Sequence, residues 1–462
     1  MKYRLNTIIV GLFLVVGVTL AGVKYLGAFP TIPKPSNNTT ERLSWFLQLD
    51  HPYIHQGSSG EIIMNTKIIG NEAPPVERAP VNLALVIDRS GSMSEKGKIE
   101  YAKEAAKQII SGLSPRDRLS VVAYSTDVEL LFPIQFLSGK ERAASVVDSL
   151  YPTDSTNLWG GLIAGIGQLD KLERKGYINR VILLSDGLAN YGITDMGELI
   201  KIASNAAEKG IHVTTMGLGV NYDENLLTGL AEYGAGNYYF VESPSQLAGI
   251  FDREFGQLAS TVAKDPVFTL TLAPGVSVKD VYGYAYETTK DGKVRINLGD
   301  FYGGQERNIL AKLNAPVEKT GESLLATARL EYGDVLGDDG TLYYEEEISY
   351  EVTEDMSIVA EKKNEEVISR RVSVEAARQY YRAASAYEKG DREEALRNMN
   401  GAMDNIRELK KSSPYNPEVL KQEAEIREAL STIMMDSAPA PASPEGKGLI
   451  KGFKHDARQQ QK

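Results

Sequence analysis

The chain has 462 residues, 42% of them hydrophobic and 24% charged, with a formal net charge of −11 and no cysteine. This ordinary globular balance excludes wholesale disorder and leaves room for about three domains, while the acidic charge argues against a nucleic-acid-binding face. Without cysteine there are no disulfide scaffolds, thiolate metal centres or cysteine nucleophiles, and 4 histidines and 2 tryptophans leave little for zinc or haem chemistry. Any chemistry has to come from oxygen ligands.

Lys2 and Arg4 precede an uncharged run, Thr7–Val23. As a helix it would be about 26 Å long, just under a bilayer core. Residues 1–28 therefore read as a cleaved signal peptide or an uncleaved single-pass anchor. In either case positive charge stays in the cytoplasm, and the bulk of the chain is expected outside it, at the membrane or secreted. Residues 29–42, rich in Pro, Ser, Asn and Thr, read as a linker.

Residues 43–80 carry short alternating segments such as Glu61–Lys67, expected as strands. From 81 to 264 strands and helices alternate. Asn82–Asp88 holds a continuous apolar run, as a strand buried on both faces requires, and Val181–Ser185 is a second such strand. Helical spacing over Lys98–Leu113, Lys140–Leu150, Leu158–Leu172 and Pro244–Ser260 completes a doubly wound α/β pattern around a parallel sheet. Residues 265–355 lose the helical period and alternate as strands of an antiparallel sandwich, with Asp334–Gly340 as a hairpin turn. The strands before Val81 belong to the same sandwich on this reading, which makes the α/β module an insertion within it. Residues 369–435 are helical, broken at Gly390 into a hairpin, and 436–462, rich in Ala, Pro and Ser, read as a disordered tail.

The chemistry concentrates where strands end. Asp88-Arg89-Ser90-Gly91-Ser92 follows the first buried strand, Thr156 opens the helix at Leu158, and Asp186 ends the strand Val181–Ser185. In an open parallel sheet, ligands bind beyond the carboxyl ends of the strands. Two carboxylates and three hydroxyls on three such loops are hard donors suited to Mg²⁺, Mn²⁺ or Ca²⁺. A site this poor in carboxylates leaves a coordination position open, which a partner's carboxylate could fill. His51 and His55 lack the companions of a zinc set and read as strand or loop residues.

These residues resemble the metal-ion-dependent adhesion site of von Willebrand factor type A domains, over about Val81–Ser260. The resemblance implies that Ser90, Ser92 and Thr156 coordinate a divalent ion, Mg²⁺ foremost, directly. It implies that Asp88 and Asp186 act largely through water, and that an acidic side chain of a protein partner completes the sphere. With flanking strands, the whole is similar to bacterial members of the calcium-activated chloride channel and inter-alpha-trypsin-inhibitor heavy-chain group. The helical hairpin resembles a tetratricopeptide unit. The expectation is a non-enzymatic, membrane-tethered protein-binding module. The alternatives are an assembly factor acting through the helical region and a metal-dependent hydrolase.

Overall fold

A computed structural model describes residues 42–71, 79–172, 176–186, 188–241, 260–334, 340–412, 414–435 and 437–461, with 246, 249, 250 and 256 between them. The Thr7–Val23 run, most of the linker, most of the 244–260 helix and the 335–339 turn lie outside the described residues. Among the described residues no helix is long and apolar enough to cross a membrane.

Alternation in β4 (Val81–Asp88) decides the central layer. All of its residues are buried. Leu83, Leu85 and Ile87 enter one core with Ile99, Ala102 and Ile109 of α1 (Lys98–Gly112) and Val147 of α2 (Lys140–Asp148). Ala84 and Val86 enter the other, with Leu158 and Leu162 of α3 (Leu158–Asp170), Leu199 of α4 (Met196–Ala207) and Leu226 of α5 (Glu224–Tyr233). β4 pairs in parallel with β5 (Arg118–Tyr124) and β7 (Ile178–Ser185), followed outward by β8 (His212–Leu218) and β9 (Ala235–Val241). One edge strand escaped the sequence reading: β6 (Val128–Phe136) pairs antiparallel with β5. It is mostly exposed and carries Pro133, so it lacks the apolar run of its neighbours. Helix α3 lies unusually close to the sheet. A Cβ at Gly161 would stand 2.5 Å from the Tyr124 ring and one at Gly165 2.4 Å from Val86 Cγ2.

The α/β module is inserted between strands of a sandwich, as the sequence implied. One sheet runs β1 (Leu43–Leu49), β3 (Glu61–Gly70), β15 (Glu306–Asn314) and β11 (Ser277–Tyr282). The other runs β12 (Glu287–Thr288), β13 (Val294–Asn297), β10 (Thr261–Leu272), β16 (Gly321–Asp334), β17 (Thr341–Thr353) and β2 (Tyr53–His55), with β14 (Phe301–Tyr302) beside β10. Trp45 of the first sheet meets Phe268 and Tyr344 of the second, ring centroids 6.4 and 5.8 Å away, in the shared core. The α/β module leaves after β3 and returns into β10.

The helical region is larger than a hairpin. After α6 (Met356–Glu361), α7 (Glu365–Glu388) and α8 (Arg392–Ser412) turn on each other at Gly390, whose φ of 81° suits glycine. Two more helices follow, α9 (Pro417–Met434) and α10 (Pro444–Gln459). Val367 and Val374 of α7 pack on Ile63, Tyr282 and Leu310 of the sandwich.

Helix α10 corrects the expectation of a disordered 436–462 tail. Its start is written in the sequence: Ser443 accepts from Gly446 N–H, and Pro444 sits in the first turn. Ile450, Phe453 and Ala457 are buried with Tyr380, Ile406 and Ile426. The Ala/Pro stretch just before this helix concealed an apolar face at helical spacing. Its other face reaches the α/β module. Lys451 lies 3.6 Å from the Tyr222 ring centroid and donates to Tyr222 O at 3.1 Å, and Arg458 pairs with Glu224.

Candidate metal centre

β4 and β7 are adjacent and parallel, with Ile87 opposite Leu184, so Asp88 and Asp186 leave the sheet side by side. Ser90 N–H donates to Asp88 Oδ1 at 2.8 Å, which folds the loop back and turns both serine hydroxyls toward β7. Ser90 Oγ lies 3.1 Å from Ser92 Oγ, and Ser92 Oγ donates to Asp186 Oδ1 at 2.9 Å. These four predicted residues thus form one connected group, and Asp88, Ser90 and Asp186 are almost wholly buried.

Thr156 is brought in by its loop. Gly91 N–H donates to Asp154 O at 2.8 Å, and Thr156 N–H to Asn190 Oδ1 at 2.8 Å. Asp154 holds a φ of 24°, a strained value for a non-glycine residue that the Gly91 bond helps to maintain. Thr156 is 3% exposed.

The two aspartates differ. Both oxygens of Asp88 are engaged by protein donors: Oδ1 by Ser90 N–H, and Oδ2 by Ser185 Oγ at 2.8 Å and Tyr124 OH at 3.3 Å. Burial pushes its carboxyl up to about 6 despite the Ser90 hydrogen bonds, and the nearby Asp186 adds to the rise. Asp186 instead meets a cation the sequence reading did not anticipate. Lys98 Nζ donates to Asp186 Oδ2 at 2.6 Å. Tyr124 and Asn190 were missed as well, since they support the site from a neighbouring strand and loop outside any local motif, whereas Ser185 stands within the Ser185-Asp186-Gly187 run.

The donor set fits a small hard cation. An octahedral Mg²⁺ shell with bonds near 2.1 Å puts adjacent ligands about 3.0 Å apart. The two serine hydroxyls, 3.1 Å apart, are spaced to share such an edge, and Asp186 stands behind them, accepting from Ser92.

A second titratable group lies at the opposite, amino-terminal ends of the strands. His212, Asp265 and Asp300 offer ligand atoms within 4.8 Å of one another. His212 Nε2 is 2.7 Å from Asp265 Oδ1, His212 Nδ1 is 3.4 Å from Asp300 Oδ2, and Arg180 Nη2 is 3.1 Å from Asp300 Oδ2. Burial lowers the His212 pKa, but the Asp300 and Asp265 carboxylates outweigh it and raise the ring to about 9. Against burial, His212 and Arg180 hold Asp300 far below the usual carboxylate range. His212 and Arg180 thus face Asp265 and Asp300, with Lys264 also acting on Asp300. This group joins the α/β module to the sandwich.

Comparison with known proteins agrees with this fold. Residues 82–253 match the model of the von Willebrand factor type A domain. The α/β module belongs to that family, whose members commonly mediate protein–protein interaction, often through a divalent ion at an adhesion site. The chain is 30% identical to YfbK of Escherichia coli over 204 residues, 44% of this chain and 36% of that protein. It is 31% identical to inter-alpha-trypsin inhibitor heavy chain H1 of Sus scrofa over 196 residues, 40% of this chain and 21% of that one. It therefore spans between about a fifth and just over a third of these curated relatives. The structure of von Willebrand factor type A from Catenulispora acidiphila has the same fold over 92% of this chain and 98% of its own, with a TM-score of 0.70 at 18% identity.

Proposed function

We propose that the protein is a non-enzymatic binding module that holds a protein partner through a divalent cation, Mg²⁺ foremost, at Ser90, Ser92, Thr156, Asp88 and Asp186. The observation that carries this is the convergence of the Ser90 and Ser92 hydroxyls and the Asp186 carboxylate at the ends of two adjacent parallel strands. When bound, the ion supplies an open coordination position for a carboxylate of the partner. Asp88, saturated by Ser90, Ser185 and Tyr124, fixes the loop, and Asn190 fixes the Thr156 loop. The rim supports docking. Tyr151, Leu188, Tyr191 and Ile193 on the loops around the site, and Met196 at the start of α4, are 40–64% exposed. They offer apolar contact around a charged centre, the anatomy of a protein interface.

Hydrolysis finds less support. The site residues are contacted by hydroxyls, a phenol and an ammonium, and His212 stands at the far end of the sheet. An assembly role through the helical region is also less favoured, because α7 and α10 spend apolar or charged faces on the sandwich and the α/β module. A membrane-tethered, extracytoplasmic placement rests on the Thr7–Val23 run.

Calorimetric titration with Mg²⁺ tests the site. The expected result is binding by the wild type and loss of at least tenfold in affinity in Ser90→Ala/Ser92→Ala; equal affinities would overturn it. Recovery of partners from membranes should require Mg²⁺, fail in EDTA, and weaken in Leu188→Ser/Tyr191→Ser.

A further inference from the structure

Lys98 stands beside the candidate site. It opens α1 directly after the 3-10 turn Gly91–Gly97, and its own N–H donates to Met93 O and Glu95 O. Its side chain is only 7% exposed. The ammonium is held by the site: 2.6 Å from Asp186 Oδ2, 3.4 Å from Ser92 O and 3.5 Å from Glu95 Oε2. The wall behind it is tight, since a Cβ at Gly219 would lie 3.4 Å from Lys98 Cε. A nearly buried ammonium aimed at a candidate ligand carboxylate is a charge that belongs to the site and not to the surface.

Formal charge shows what this cation does. Asp88 and Asp186 contribute −2, and Lys98 brings the buried group to −1. A divalent ion takes it to +1, and a partner carboxylate then closes it at zero. Without Lys98 the same series runs −2, 0, −1, so the loaded site would already be neutral and the carboxylate would arrive at a charge deficit. In a buried site these differences are weakly screened.

We infer that Lys98 makes cation and partner depend on each other: it weakens binding of the divalent ion alone and strengthens the grip of the loaded site on a carboxylate. This rests on the metal-bridged reading above. It adds that the free protein holds its ion loosely and that an acidic partner tightens it, a reciprocal coupling.

The test is Mg²⁺ calorimetry on the full chain with and without a large excess of acetate as the carboxylate probe, corrected for acetate binding to free Mg²⁺. Wild type, Lys98→Met and Lys98→Arg are compared. The expected result is that Lys98→Met binds Mg²⁺ about tenfold tighter than wild type in chloride buffer. Acetate should tighten Mg²⁺ binding in wild type and Lys98→Arg but not in Lys98→Met. If Lys98→Met fails to fold, Lys98→Gln takes its place. Equal or weaker Mg²⁺ binding without the lysine charge would overturn the inference while leaving the metal site standing, as would an acetate effect of the same size in all three. Flat titrations in every protein would overturn the metal reading itself and this inference with it.

Discussion

Asp300→Asn is expected to destabilise the protein by about 3–5 kcal/mol, because removing one member of a buried charge group strands the others. Arg180 and His212 are 1% and 3% exposed, and both rely on this carboxylate. The substitution keeps the shape and removes only the charge, so packing loss does not confuse the result. Urea unfolding followed by circular dichroism measures it; a loss under about 1 kcal/mol would mean the group is not a working junction. The same group sets a pH dependence. His212 is raised from 6.5 to about 9 in the folded protein. Its contribution is therefore fully present below pH 6.5 and lost as pH rises through about 9. The shift corresponds to about 3 kcal/mol. His212→Gln should remove that alkaline loss, and matching alkaline profiles for variant and wild type would refute the assignment.

Phe453→Ala is the second large effect, at about 3 kcal/mol for emptying a packed aromatic position. Phe453 is 7% exposed, with its ring centroid 5.7 Å from that of Tyr380. Its loss should free α10, taking Lys451 off Tyr222 and Arg458 off Glu224. Limited proteolysis reads this directly: the wild-type chain should resist cleavage within 444–459, and the variant should be cut there quickly. Equal protection would show that α10 is held by its charged contacts alone.

The sequence revealed those features whose causes are local. The apolar stretch of β4 announced a strand buried on both faces, and Asp88, Ser90 and Ser92 lie within five consecutive positions from its last residue. Asp186 could be placed because a second apolar strand ends immediately before it. What stayed hidden depends on pairings across distance. Lys98 meets Asp186 across 88 residues, and Arg180 meets Asp300 across 120. No period or motif couples such positions. β6 escaped because an exposed edge strand has no burial pattern to display. Helix α10 escaped because composition was read over the whole tail, while its start and apolar face occupy only part of it.

The insertion of the α/β module has a mechanical consequence. The candidate site lies at the carboxyl end of β4, while the chain enters from the sandwich at the opposite end, at Val81, beside the Arg180–His212–Asp300 group. Tension between a partner held at the site and the sandwich would run lengthwise along the central strand. β4 is hydrogen-bonded in parallel to β5 on one side and β7 on the other along nearly its whole length. Such a pull shears two ladders at once, so many bonds share the load and none is peeled away singly.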